Sequence, residues 1–98
     1  MTYSLRFLPT ALKEWKKLGH NIREQFKNKL AERLKNPRVI SAQLYGLKDC
    51  YKIKLRASGY RLIYEVNDKE IYVMVIAIAK RDKSYVYALA EKRAKRID

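Results

Sequence analysis

Hydrophobic and polar positions alternate most regularly from Tyr51 to Leu55, where Tyr51, Ile53 and Leu55 are apolar or aromatic and Lys52 and Lys54 are cationic. A period of two marks a strand with one buried face. Ser58-Gly59 supplies a tight turn, and a second strand follows. With a two-residue loop, Ala57 pairs with Tyr60, and Leu55, Ile53 and Tyr51 fall opposite Leu62, Tyr64 and Val66. This register gathers Lys52, Lys54, Arg56 and Arg61 on the other face. A slip by one residue buries cations, so the register is well specified.

The rest of the chain reads as one continuous domain, residues 1–98, with no linker or repeat. Tyr3, Leu5 and Phe7 alternate with Ser4 and Arg6, which predicts a first strand over 2–7. Pro9 at the first helical position, or Thr10 as N-cap, opens a helix carrying Leu12, Trp15 and Leu18, and Gly19 closes it. Asn21 with Glu24 resembles a capping box for a second helix, whose stripe of Ile22, Phe26, Leu30 and Leu34 ends before Asn36-Pro37. The outward face of this helix pair carries Lys13, Lys16, Lys17, Arg23, Lys27, Lys29 and Arg33, and reads equally as a solvated surface or as a phosphate-binding one. Residues 42–46 form a short strand. Ile71 to Ala79 is apolar throughout, as in a central strand covered on both sides, or covered on one and closely approached on the other. A helix to about Arg96, capped by Asp82 or Ser84, ends the chain. The expected fold is α+β, in the order β-α-α-β-β-β-α. It has a small antiparallel-dominated sheet, the N-terminal helix hairpin on one face, and a basic open face with the C-terminal helix.

Composition narrows the partner. A net charge of +13 and a pI near 10.0 point to nucleic acid or an acidic protein. The apolar run at Ile71 is too short for the roughly twenty residues that span a bilayer. No export signal is visible over Met1 to Pro9, and the single cysteine, Cys50, fits a reducing cytoplasm and a structural role. His20, in the turn between the helices, is the one histidine, so a two-histidine nuclease is excluded. No metal is expected, because no Cys/His cluster or carboxylate pair has ligand spacing. No cofactor is expected either, since glycine-rich phosphate loops and dinucleotide fingerprints are missing. Lysine, arginine and tyrosine remain for chemistry.

These residues carry a family resemblance. Ala11-Leu12-Lys13-Glu14-Trp15 with Lys17-Leu18, Asp49 to Arg56 with Ser58-Gly59-Tyr60-Arg61-Leu62, and Lys80-Arg81 followed by Val86-Tyr87 are similar to the RelE toxins of bacterial toxin-antitoxin pairs. The likeness runs from Tyr3 to about Arg93. It implies an endoribonuclease that enters the A site of the 70S ribosome and cuts mRNA there. It also implies a RelB-like antitoxin that wraps the toxin, with operator DNA bound only through the toxin-antitoxin complex.

The residues suit metal-independent cleavage by the RNA's own 2′-hydroxyl, with a 2′,3′-cyclic phosphate and a 5′-hydroxyl as products. Such a reaction needs a base, positive charge for the transition state, and help for the departing oxygen. Lys52 and Lys54 stand where the resembled family keeps its catalytic lysines; Lys54 is the first choice for the base and Lys52 the next, and crowding by Arg56 and Arg61 makes a neutral amine more accessible. Arg61 and Arg81 clamp the phosphate. In family terms Arg81 also assists the leaving group, by charge if not by a proton, since an arginine holds its proton above a pH of about 12. Tyr87 resembles the family tyrosine that stacks on or orients the nucleotide. Arg56, Lys13, Lys17, Arg23 and Lys80 serve RNA or ribosome binding. Many relatives have Leu-Arg-Gly where this chain has Leu44-Tyr45-Gly46; Tyr45 can stack but cannot neutralise a phosphate. Two other functions stay open: a gyrase-poisoning toxin on the same fold, which has no need for all these cations, and a non-catalytic RNA-binding module.

Overall fold

The computed structural model describes residues 2–80 and 83–94, with side chains in the second stretch described from Tyr85 on. Its elements are β1 (Ser4–Phe7), α1 (Pro9–Lys16), α2 (His20–Lys35), β2 (Cys50–Lys54), β3 (Tyr60–Asn67), β4 (Tyr72–Lys80) and α3 (Lys83–Ala94). This is the order expected from the sequence. The sheet runs β1-β4-β3-β2, with β1 parallel to β4 and the other pairs antiparallel.

Two layers of helix explain the two-sided apolar pattern of β4. On one face α1 and α2 bury Ala11, Leu18, Phe26 and Leu30 against Tyr51, Ile53, Leu62, Tyr64, Val73 and Val75. Phe7, Trp15 and Phe26 run through this layer with ring centroids 5.2 and 6.5 Å apart. On the other face α3 sets Val86 and Ala90 on Cys50, Ile63, Ile76 and Ala77. Ile76 is the extra residue of a bulge, since Ile63 pairs with Ala77 and Tyr64 already pairs with Val75.

Pro9 takes the first helical position, where its missing N–H costs nothing, so Thr10 is not the cap. Gly19 closes no helix. α1 ends at Lys16, and Gly19 is the N-cap of α2, with extended backbone and no side-chain capping bond. The helix thus starts at His20, leaving Asn21 inside the first turn. Glu24 pairs instead with Lys27 at 3.3 Å.

The hairpin register differs by two residues from the one predicted. The Leu55 N–H donates to the Tyr60 carbonyl at 2.9 Å and the Gly59 N–H to the Leu55 carbonyl at 2.8 Å, with Gly59 at φ 81. The loop is therefore Arg56 to Gly59, and Ile53 faces Leu62 while Tyr51 faces Tyr64. A shift of two keeps every side chain on its face, so the grouping of cations survives the longer loop. In place of a strand at 42–46 there is a 3-10 turn at Ile40–Ala42, and one bridge joins Gln43 to Tyr51. Leucine and glycine follow at Leu44-Tyr45-Gly46, and Gly46 at φ 83 turns the chain off the sheet edge.

Candidate functional site

In β2 the hydrogen bonds to β3 fall on odd positions, as Val66 N–H to Asp49 carbonyl and Leu55 N–H to Tyr60 carbonyl show, both at 2.9 Å. Lys52 and Lys54 consequently turn their backbone groups outward and their side chains onto the α3 face. Lys54 lies opposite Arg61 and Lys52 opposite Ile63. Three of the five residues expected in the reaction are thus neighbours on one surface. Arg81 lies outside the described residues.

Their surroundings differ. Lys54 is exposed and Lys52 half-buried, whereas Arg61 is buried, only 6% exposed. Arg61 donates to the Gly59 carbonyl at 3.3 Å, so its guanidinium is held against the hairpin loop. A long side chain fixed in this way loses little further freedom when it meets an anion, which suits a phosphate clamp.

Tyr87 comes to the same surface from α3. Together with Leu44, Tyr45, Gly46, Lys52 and Glu91 it lines a cleft of about 510 Å³. Tyr45 is fully exposed on the rim, where a ring can stack on a base. The cleft is therefore a junction of β2, α3 and the 41–47 connection, elements far apart in the chain.

The other expected binding residues are dispersed. Arg56 is exposed in the hairpin loop next to the cluster. Lys80 pairs with Tyr60 and holds its ammonium 5.6 Å from the centre of that ring. Tyr60 packs into the α1–α2 layer, so Lys80 faces away from Lys52 and Lys54. Lys13, Lys17 and Arg23 lie on the helix hairpin, across the sheet from the cluster; Arg23 donates to the Leu18 carbonyl at 3.4 Å. Cys50 is completely buried beneath α3, and burial pushes its thiol up to about 12, which leaves it unreactive in the closed fold. Among the described residues no three His, Cys, Asp or Glu side chains are grouped to hold a metal ion.

A model of the ParE toxins of type II toxin-antitoxin systems matches residues 5–85. The mRNA interferase toxin RelE of Escherichia coli K12 is 55% identical over 93 residues, which make up 95% of this chain and 98% of that one. The chain belongs to the RelE branch of this toxin family. A free double arginine-to-alanine variant of Escherichia coli RelE, 54% identical, superposes with a TM-score of 0.88 over 95% of this chain and 98% of that one. The toxin in the intact Escherichia coli RelBE complex, 53% identical, superposes with a TM-score of 0.80 over 83% of this chain and 99% of that one. The RelE-type fold is thus established along with the family.

Two side chains, one lining the cleft and one behind it, carry no signal in the sequence. Glu91 brings a carboxylate to it from α3. Arg33, expected on the outward face of α2, is half-buried and points the other way. It donates to the Lys52 carbonyl at 3.0 Å and to the Tyr64 hydroxyl at 2.9 Å, and Tyr64 in turn donates to the Pro37 carbonyl at 2.6 Å. Arg33 thereby closes the open edge of β2 at Lys52. Its position on α2, among evenly spread lysines, held no hint of this.

Proposed function

We propose that this chain is a ribosome-dependent mRNA endonuclease that cleaves the codon in the A site and so stops translation. The observation that carries the reading is the joint placement of Lys52, Lys54 and Arg61 on one face, with Tyr87 sharing a cleft with Lys52. Support comes also from the relative of Escherichia coli, which is named an mRNA interferase.

The chemistry follows from the residue types. Lys54 takes the proton of the 2′-hydroxyl, with Lys52 the alternate. Arg61 binds the phosphate and its growing charge, where preformed donors act most strongly. Arg81 stabilises the leaving 5′-oxygen electrostatically while solvent water supplies the proton that makes it a hydroxyl, and Tyr87 orients the nucleotide. The products are a 2′,3′-cyclic phosphate and a 5′-hydroxyl, without a metal ion in the step. Among the described residues nothing at the cleft encloses an RNA strand, so the ribosome holds the substrate in line, a positioning effect large enough to separate cleaved from uncleaved RNA.

The Escherichia coli relative has been solved with its antitoxin RelB. By analogy a cognate acidic antitoxin restrains this toxin in the cytoplasm, steered by the net charge of +13. Operator DNA is then reached only as the complex.

Mapping mRNA ends in a purified translation system tests the reading. Cuts are expected in the A-site codon, only with ribosomes present and without added metal beyond what ribosomes need. Efficient cutting of free mRNA, or inhibition of gyrase with no cut on ribosomes, would refute it.

A further inference from the structure

β1 is four residues long and pairs with β4 only from Tyr72 to Val75. Past that point the outer edge of β4 presents backbone groups with no strand beside them among the described residues, and such groups are costly unless partnered. Side chains from two distant elements partner them. Glu14 of α1 accepts from the Ile78 N–H through Oε1 at 3.1 Å. Arg93 of α3 donates to the Ile76 carbonyl through Nη1 at 2.8 Å. The same two side chains form a two-pronged ion pair, Nη1 to Oε1 at 2.9 Å and Nη2 to Oε2 at 3.0 Å. This clasp is mostly shielded, the side chains being 16% and 25% exposed.

We propose that Glu14 and Arg93 are positioning residues that set the seat of α3 and, through it, the place of Tyr87 at the cleft. The inference rests on the reading of Tyr87 as part of the cleavage site. The apolar seat of α3 is small: Val86 and Ala90 are its fully buried side chains, one of them a single methyl group. Tyr87, Leu89 and Ala94 pack against the same cluster only in part, and because apolar contact is non-directional it does not by itself fix the slide or turn of the helix. A guanidinium fork fixes direction as well as distance. Arg93 stands six residues beyond Tyr87, about 9 Å along a helix at 1.5 Å per residue. One helix thus carries the anchor in its last turn and the nucleotide-orienting ring less than two turns before it, and the bulge at Ile76 supplies the carbonyl to which the anchor is tied.

The test uses full-length Arg93→Lys, which keeps the charge and loses the fork, and Glu14→Gln, which keeps the shape and loses the charge. Single-turnover cleavage on saturating, A-site-vacant ribosomes is expected to slow by about tenfold to a hundredfold, the scale of a small misplacement, with ribosome affinity little altered. Amide exchange over 85–94 should quicken while that of β3 stays unchanged, which separates unseating from unfolding. In a Tyr87→Ala background the clasp substitutions should add less than about twofold. Unaltered exchange over 85–94, or the same loss of rate with and without Tyr87, overturns the clasp. Faster exchange together with normal cleavage by Tyr87→Ala shows instead that the reading of Tyr87 has failed, and the role in positioning falls with it.

Discussion

The α1–α2 face and the α3 face of the one sheet are built to different ends. Under α1 and α2 lie large side chains, Tyr51, Tyr64, Phe26 and Leu30 among them, each 4% exposed or less. The Tyr51 and Tyr64 rings stack at 5.7 Å, and Arg33 and Pro37 hold the Tyr64 hydroxyl. Under α3 the buried side chains are Cys50, Ile63, Ile76, Ala77, Val86 and Ala90, and the surface beside them is cationic. Burial stabilises in proportion to apolar area, so the first face supplies most of the fold's stability. Like charges gathered as Lys52, Lys54 and Arg61 repel one another, a cost that a bound anion would offset. A well-packed face lets the opposite one carry an arrangement that would not hold itself together.

The largest test of this contrast is Phe26→Ala. Truncating a fully buried ring should cost about 3–5 kcal/mol, read as a lower midpoint in urea unfolding, against about 1–2 kcal/mol for Val86→Ala. Equal losses on the two faces would break the distinction. Next comes Lys54→Ala, alone or with Arg81→Ala. Single-turnover cleavage on ribosomes should fall by at least about a hundredfold while the unfolding midpoint moves far less than for Phe26→Ala, as expected of an exposed side chain. Near-normal cleavage by the double variant refutes the assignment.

Cys50 offers a probe of the thinner face. Its thiol is buried beneath α3 and pushed up to about 12, so a thiol reagent should react only when α3 lifts. Val86→Ala should speed labelling by about tenfold without a matching rise in exchange at β3. The sign with pH follows: the closed fold keeps the proton and the unfolded chain releases it near 9, so this group's contribution is full below pH 9 and is lost as pH rises toward 12. Cys50→Ser should flatten that part of the alkaline stability curve. The smallest effect concerns neither face. Ile71, in the turn before β4, sits at φ 56, a left-handed conformation that a β-branched residue resists. Ile71→Asn should raise stability by about 0.5–1 kcal/mol, and an unchanged or lower melting temperature would deny the strain.

The alternation Tyr51-Lys52-Ile53-Lys54-Leu55 determined by itself that two lysines share a face opposite the core, because side-chain direction along a strand depends only on parity. For that reason the grouping outlasted a hairpin loop two residues longer than expected. Helix stripes, the proline at the start of α1 and the two-sided apolar run of β4 were likewise local, and each was legible. What only the tertiary structure decided concerns groups meeting from distant parts of the chain. Arg33 and Arg23 look alike on one helix, yet Arg33 turns inward because Tyr64 and the open edge of β2 happen to lie within its reach. Arg61 is sunk against its hairpin loop while Lys54 opposite remains exposed. Glu14 and Arg93 meet because β1 stops short and leaves the edge of β4 to be satisfied. A period in the sequence reports which way a side chain points; which unpaired backbone group or buried hydroxyl it finds there depends on how the layers close over it.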